Sequence, residues 1–414
     1  MGLQLRCARR YHGDRFLTAT GRSVFTIREG IALSILTLAA GGFTVVGASE
    51  NAPLIRTALG LSELGVGAIA SIAYLGAMLT SRLGGRTTDR CGPTIVIFIG
   101  LAVLATGSGV AAIAPHVVVF YLGVLLAGLG YGVINPATNV LANPVTARRR
   151  GLVMSAKQAG VPLGGIIAGA VLPAIGSAYG WRLAFLAPLL LCAGVAVLMW
   201  WRGRRRVALH GLATDVARSA VHMRLPHGFG YGFVMAGAQV SIFAFTAVYL
   251  VEVRGLSANR AGLGVSLLLL GGIVGRPLWG WLSDLYPEQR LRVLQGASLL
   301  GAVSIAGIWT VPIVVMPVAL LVVGLCSVGW NGVYVAAVAE AGEPHEVGWT
   351  TGASLTMINF GAVLCPLLIG LVVQVTHSWG WGWSACSVVS LLGAVVVAGS
   401  RIQPDTESTV WPAS

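Results

Sequence analysis

Twelve runs of about 20 predominantly apolar residues, parted by short polar breaks, constrain this chain more than any other feature of it. Helix rising about 1.5 Å per residue needs about 20 residues to cross about 30 Å of hydrocarbon. A soluble fold would have to bury most of these runs at once. The composition argues against that, because 56% of the 414 residues are hydrophobic and only 10% are charged, against about 25% charged in soluble domains. The 57 glycines fit the same solvent, since helices in lipid associate through small residues that let backbones approach.

Glycine, proline and charge punctuation predicts spans near 30 to 50, 62 to 83, 93 to 113, 118 to 143, 151 to 175 and 181 to 201. A second set follows near 229 to 252, 259 to 281, 291 to 311, 313 to 339, 348 to 374 and 379 to 400. The domains expected are a cytoplasmic N-terminal tail at 1–29, a six-helix bundle at 30–201 and a cytoplasmic linker at 202–228. A second six-helix bundle at 229–400 and a cytoplasmic tail at 401–414 complete them. Residues 1–28 lack the apolar core of a cleavable signal and are expected to be a loose tail.

The net charge of +13 would suggest a nucleic-acid partner in a soluble protein. Here the arginines cluster in the N-terminal tail, at Arg82, Arg86 and Arg90, at 148–150 and at 202–206, after every second apolar run. That is the positive-inside pattern. It predicts a cytoplasmic (plasma or inner) membrane location with both termini in the cytoplasm, a lipid-bilayer partner and no nucleic acid. The six cysteines have neither paired nor metal-type spacing, so no disulfide framework, metal or cofactor is expected.

The second set of spans repeats the first. GLSELGVGAIASIAYLGAMLTSRLGGRTTD from residue 60 lies over GLSANRAGLGVSLLLLGGIVGRPLWGWLSD from residue 255. Gly60, Ser62, Gly67, Ser71, Gly76, Gly85 and Asp89 fall on Gly255, Ser257, Gly262, Ser266, Gly271, Gly280 and Asp284. Farther on, Gly151 and Gly164 meet Gly348 and Gly361, and Gly180 with Trp181 meets Gly380 with Trp381. Shared apolar residues follow from composition, but matched Gly, Ser and Asp do not. The fold class expected is all-α integral membrane, with twelve transmembrane helices in two six-helix bundles. A parallel repeat relates them by a pseudo-twofold axis along the membrane normal, with a substrate cavity between the halves.

GGRTTDRCGPT at 84–94, between spans 2 and 3, resembles the signature loop of the major facilitator superfamily through Gly85, Asp89, Arg90 and Gly92. Pro93 and Thr94 replace its usual basic pair. GRPLWGWLSDLYPEQR keeps Gly280 and Asp284 at the equivalent loop of the second half. The resemblance covers roughly residues 30 to 400. It implies that these loops clamp the cytoplasmic ends of the halves, with Asp89 facing the start of span 11 near Gly348 to Thr351. Asp284 would likewise face the start of span 5 near Gly151. Glycine suits a tight turn or close packing, and an aspartate favours a helix N-terminus. The arginine that this family often carries in span 4 is missing from LGVLLAGLGYG, and GVPLGG departs from the exporter pattern of span 5. NPATNVLA, SAKQAGVPLGG and GWNGVYVA resemble most the cyanate and nitrate-type or organic-anion permeases.

The chain has one lysine, Lys157, about seven residues inside the predicted span 5 and roughly 10 Å from the basic interface at helical rise. An ionisable group at that depth costs about 2.5–3.5 kcal/mol and faces a cavity or a partner, unless its stem snorkels to the interface. Asn135, Asn139 and Asn143, four apart on span 4, share a helical face at the depth of Lys157 and Gln158. An ammonium beside amides makes a site for a small anion; the plainer alternative is interhelical hydrogen bonding. Asn331 on span 10, with Trp330 and Tyr334, and Asn359 on span 11 are the corresponding polar intrusions of the second half and are candidates to complete the substrate cavity; the plainer alternative for each asparagine is a packing hydrogen bond. Trp181 and Trp379 to Trp383 are expected in the aromatic belt. No carboxylate sits at a span centre. Glu50, at the outer end of span 1 before Asn51 and Pro53, is the better candidate for proton coupling, and Glu29 at the inner end the other; the plainer alternative for either is an interfacial carboxylate exposed to water.

The function expected is a secondary active transporter for a small organic or inorganic anion, working as a monomer by alternating access of its halves. Proton coupling, exchange and uniport all remain open. The alternative within transport is a drug or metabolite efflux permease. The alternative of another class, an integral-membrane lipid-modifying enzyme, generally needs acidic metal-binding pairs or a nucleophile with its base. No Asp-rich motif occurs, and the seven histidines lie chiefly in loops and tails, so no catalytic residues are assigned.

Overall fold

The computed structural model describes residues 15–17, 23–142, 157–204, 228–286, 289–341 and 347–398. Before the spans, β1 (Arg15–Leu17) pairs antiparallel with β2 (Ser23–Thr26), Arg15 opposite Thr26 and Leu17 opposite Ser23. Both strands fall within the expected N-terminal tail, where the β-branched and aromatic residues of SVFT suit a pleated strand.

The rest of the described chain is helical. Its first set comprises α1 (Ile27–Glu50), α2 (Ala52–Leu59), α3 (Glu63–Cys91), α4 (Pro93–Ala112), α5 (Val117–Leu141), α6 (Gly160–Tyr179), α7 (Trp181–Ala184) and α8 (Leu186–Arg204). The second comprises α9 (Gly228–Glu252), α10 (Ala258–Leu285), α11 (Arg290–Gly307), α12 (Met316–Gly329), α13 (Asn331–Ala341), α14 (Val347–Thr376) and α15 (Trp379–Ala398). Eleven helical stretches among the described residues are long and apolar enough to cross a membrane. The expected ninth span is α11, which opens on Arg290 and Arg292. The expected tenth comprises α12 and α13, joined through Trp330, whose backbone stays in the right-handed helical region at φ −64° and ψ −25°.

The chain forms two compact units, one of Met1–Ser219 with Phe243–Ser266 and the other of Ala220–Ile242 with Leu267–Ser414. The first therefore takes in the ends of α9 and α10 that border the loop between them. There Ser266 donates a hydrogen bond to the Ile166 carbonyl at 2.9 Å. Arg56 on α2 also bridges Glu63 of α3 at 2.6 Å and Glu252 of α9 at 3.0 Å.

In both halves of the sequence the repeated residues do the same work. Gly76 on α3 lies against the backbone of Leu125 and Leu129 on α5, and its counterpart Gly271 on α10 lies against that of Leu321 and Leu325 on α12. Gly164 on α6 meets Ala39 and Phe43 of α1, while Gly361 on α14 meets Phe233 of α9. Gly60 and Gly255 both take the left-handed conformation, with φ of 63° and 65°. Ser62 then accepts from Gly65 N, as Ser257 does from Arg260 N, capping the helix that follows. An L side chain pays about 1–2 kcal/mol in that conformation. Gly60→Ala and Gly255→Ala are each expected to lower stability by about 1 kcal/mol in a denaturation assay in detergent; Gly194→Ala, in open space on α8, is expected to be neutral or stabilising.

Aromatic placement departs from the expected belt. Trp181 is buried among Phe120 and Phe185 in edge-to-face contacts at 5.7 and 6.2 Å, with the Arg182 guanidinium over its ring. Trp383 is buried too, and Trp381 is the exposed member of its group. Edge-to-face packing with neighbouring rings holds Trp181 inward.

Candidate functional site

Lys157 lies three residues before α6 and is completely buried. Its Nζ donates to Thr138 Oγ1 at 3.2 Å and to Asn139 Oδ1. Thr138 in turn donates to the Asn135 carbonyl at 2.8 Å and its own carbonyl accepts from Ser34. The helical face predicted on α5 therefore supplies Asn139 directly, while Asn135 enters through its backbone. Pro136 lies inside α5 one turn before Val140, and a proline frees the carbonyl four residues earlier and bends the helix. Among the described residues no carboxylate meets this ammonium, so its charge is solvated by neutral oxygens alone. Asn143 lies outside the described residues.

Glu50 closes α1 and is also completely buried. Among the described residues neither carboxyl oxygen has a hydrogen-bond partner, and neither polar side-chain atom of the adjacent Asn51 has one. Asn51 precedes α2 at its N-cap position without capping it, and its Oδ1 packs on Gly176 of α6. Among the described residues the other carboxylates near the spans of this unit are paired: Glu29 with Arg202 at 3.3 Å, and Glu63 and Glu252 with Arg56. Isolated buried carboxylates are costly, which sets Glu50 apart from the interfacial Glu29.

In the second unit the polar intrusions meet a residue that sequence reasoning passed over. Gln239, half-buried on α9, accepts from the Trp330 indole N–H at 3.0 Å and from Asn331 Nδ2 at 3.1 Å. A glutamine inside span 7 was the available signal; its partners lie some 90 residues away, where α12 meets α13. Tyr334 is buried against Tyr231 and Trp330, and its hydroxyl accepts from Ser354 at 2.8 Å. That placement ties α13 to α14. Asn359 is half-buried on α14 and is not joined by a hydrogen bond to Gln239, Asn331 or Tyr334.

Of the signature residues, Gly92 has φ 82° and forms the turn between α3 and α4, and Arg90 is exposed. Close packing falls on Gly84, whose position lies against Val133, whereas Gly85 and Gly280 face open space among the described residues. Asp284 is exposed and pairs with Arg290 at 3.7 Å, while Arg290 also donates to Ser283. The Asp89 side chain, Gly151 and the side chains of Gly348 to Thr351 lie outside the described residues.

Repeated sets of membrane-spanning helices, carrying a buried lysine, an unpaired carboxyl and a fixed amide cluster within them, define a polytopic membrane transporter. The family model described as Major Facilitator Superfamily matches residues 32–337 and 228–411. The chain belongs to the major facilitator superfamily: it is a multi-pass membrane protein and a secondary transporter, not an enzyme. Its relatives include a gentisate transporter of Corynebacterium glutamicum, 27% identical over 78% of this chain and 75% of that protein. A hexuronate transporter of Bacillus subtilis is 24% identical over 84% and 88%. A gallate transporter of Pseudomonas putida is 24% identical over 83% and 85%. In fold the chain is similar to a bacterial homolog of the human lysosomal transporter Spinster, with TM-score 0.71 and 15% identity over 90% of this chain and 95% of that one. The xylose transporter of E. coli gives TM-score 0.70 and 16% identity over 92% and 98%.

Proposed function

We propose that this protein moves a small organic carboxylate across the cytoplasmic membrane together with a proton, by alternating access, with both termini in the cytoplasm. The observation that carries the reading is Lys157: a completely buried ammonium held only by Thr138 and Asn139 among the described residues. Intramembrane cations persist where they serve a pathway or partner, and a substrate carboxylate supplies the missing countercharge. Gentisate, gallate and hexuronate, transported by the relatives named above, are all hydroxylated carboxylates. The arginine clusters support the orientation. Asp89, Arg90 and Asp284 with the neighbouring glycines act at the cytoplasmic loops, and the protein functions as a monomer.

Glu50 carries the proton in this reading, because its carboxyl is buried with no partner among the described residues while Glu29, Glu63 and Glu252 each have one. Glu50→Gln keeps the shape and removes the exchangeable proton. In proteoliposomes the wild type is expected to take up hydroxybenzoates faster under an inward proton gradient. The variant is expected to lose that acceleration yet keep exchange of labelled for unlabelled substrate. Unchanged acceleration in Glu50→Gln would sink the role of Glu50. Absence of uptake and exchange of any carboxylate by the wild type would sink the anion reading itself.

A further inference from the structure

An indole N–H can only donate a hydrogen bond. Because Trp330 Nε1 meets the Gln239 side chain at 3.0 Å, the atom facing it must be the carbonyl oxygen, and the orientation of the amide is settled by chemistry. Asn331 is settled in the same way. Its Nδ2 donates both to Gln239 Oε1 at 3.1 Å and to the Val328 carbonyl at 3.4 Å, so Oδ1 is its other end. The two amides are thus held with their remaining groups uncommitted: among the described residues Gln239 Nε2 donates to nothing and Asn331 Oδ1 accepts nothing. Neither atom is among the buried polar atoms that lack a partner. Both are therefore accessible, on side chains that are only half-buried.

In hydrocarbon an unpaired amide costs several kcal/mol, so these groups open onto water or substrate. One bonds as a donor and the other as an acceptor. A carboxylate, which only accepts, would satisfy Gln239 and leave Asn331 facing like charge. A hydroxyl group, which accepts one bond and donates another, satisfies both. The pair lies where α12 meets α13, and Trp330 between them keeps helical dihedrals of φ −64° and ψ −25°, so the turn that presents Asn331 is held by the same span.

We infer that Gln239 and Asn331 form a hydroxyl-recognition pair, Gln239 donating to the substrate hydroxyl oxygen and Asn331 accepting its proton. The inference rests on the carboxylate-transport reading for the identity of the cargo. Buried groups built to bond a hydroxyl discriminate strongly against an analogue that lacks it. Trp330 acts here as a positioning residue, because it turns the amide.

The test compares uptake of 2,5-dihydroxybenzoate with that of benzoate in proteoliposomes. Wild-type protein is expected to prefer the hydroxylated compound by roughly tenfold or more in kcat/KM. Gln239→Glu retains oxygens for Trp330 and Asn331 but replaces the outward NH2 with oxygen. Asn331→Ala removes the acceptor while Trp330 still anchors Gln239. Both variants are expected to bring the ratio of the two substrates close to one. A purely structural role would lower both substrates together and leave the ratio unchanged, and that result overturns the inference. If no carboxylate is transported, the anion reading has failed on its own, and the pair is then judged on neutral hydroquinone in a thermal-shift assay. Stabilisation of wild type that both variants lose supports the pair; no stabilisation of wild type overturns it.

Discussion

Lys157→Gln is expected to lower carboxylate uptake by roughly 30-fold or more while leaving the protein at least as stable as wild type. Removing one partner of a buried, hydrogen-bonded charge pair costs about 2–5 kcal/mol, and each 1.4 kcal/mol is about tenfold in affinity. If the partner of Lys157 is the substrate, that loss falls on transport. Stability moves the other way, because the resting protein keeps the ammonium completely buried against Thr138 and Asn139, with no carboxylate among the described residues. A neutral amide there relieves desolvation and still reaches hydrogen-bonding oxygen. The two outcomes separate a substrate contact from a structural one. Uptake at the wild-type rate would end the anion role of Lys157. A melting temperature that falls along with uptake would make the lysine a tie between α5 and the start of α6. Lys157→Arg is expected to be impaired as well, since a planar guanidinium does not fit a site that closes around a compact ammonium.

Much of this arrangement was legible in the sequence because it depends on signals that lie close together along the chain. Apolar runs, Gly60 and Ser62, and their counterparts Gly255 and Ser257 are local features whose meaning comes from helix length and capping. The pairing of Lys157 with Asn139 was likewise legible, because a short hairpin sets residues on adjacent spans at the same depth. Gln239 was not, because an amide in an apolar run says nothing of the indole and amide that fix it from the tenth span. Trp181 was misjudged for a related reason. Tryptophan near a span end suits the bilayer interface, yet Phe120 and Phe185 supply a packed aromatic site for it that no local pattern reveals. Tyr334 shows the same limit. Its distance from Asn331 suggested a shared face, whereas its ring is enclosed by Tyr231 and Trp330 and its hydroxyl bonds Ser354.

The glycines separate packing from motion, and they support the second large prediction. A Cβ added at Gly128 on α5 would stand 2.1 Å from the Ala73 carbonyl oxygen of α3. At Gly324 on α12, the same addition would stand 1.7 Å from the Leu268 carbonyl oxygen of α10. The obstacle is backbone in both cases, so no side-chain rotation relieves it, and the helices must part by more than about an ångström with loss of dispersion contact along their length. Gly128→Ala and Gly324→Ala are each expected to destabilise by about 3 kcal/mol, the upper end for overpacking, despite the gain of about 1 kcal/mol in helix propensity. The signature glycines Gly85 and Gly280 face open space among the described residues. Gly85→Ala and Gly280→Ala are expected to leave denaturation midpoints within about 0.5 kcal/mol of wild type. Any transport they lose then belongs to the conformational cycle, as the proposed role of these loops requires. Equal loss of stability in the two pairs would refute that separation, and would mean that Gly85 and Gly280 pack as tightly as Gly128 and Gly324 do.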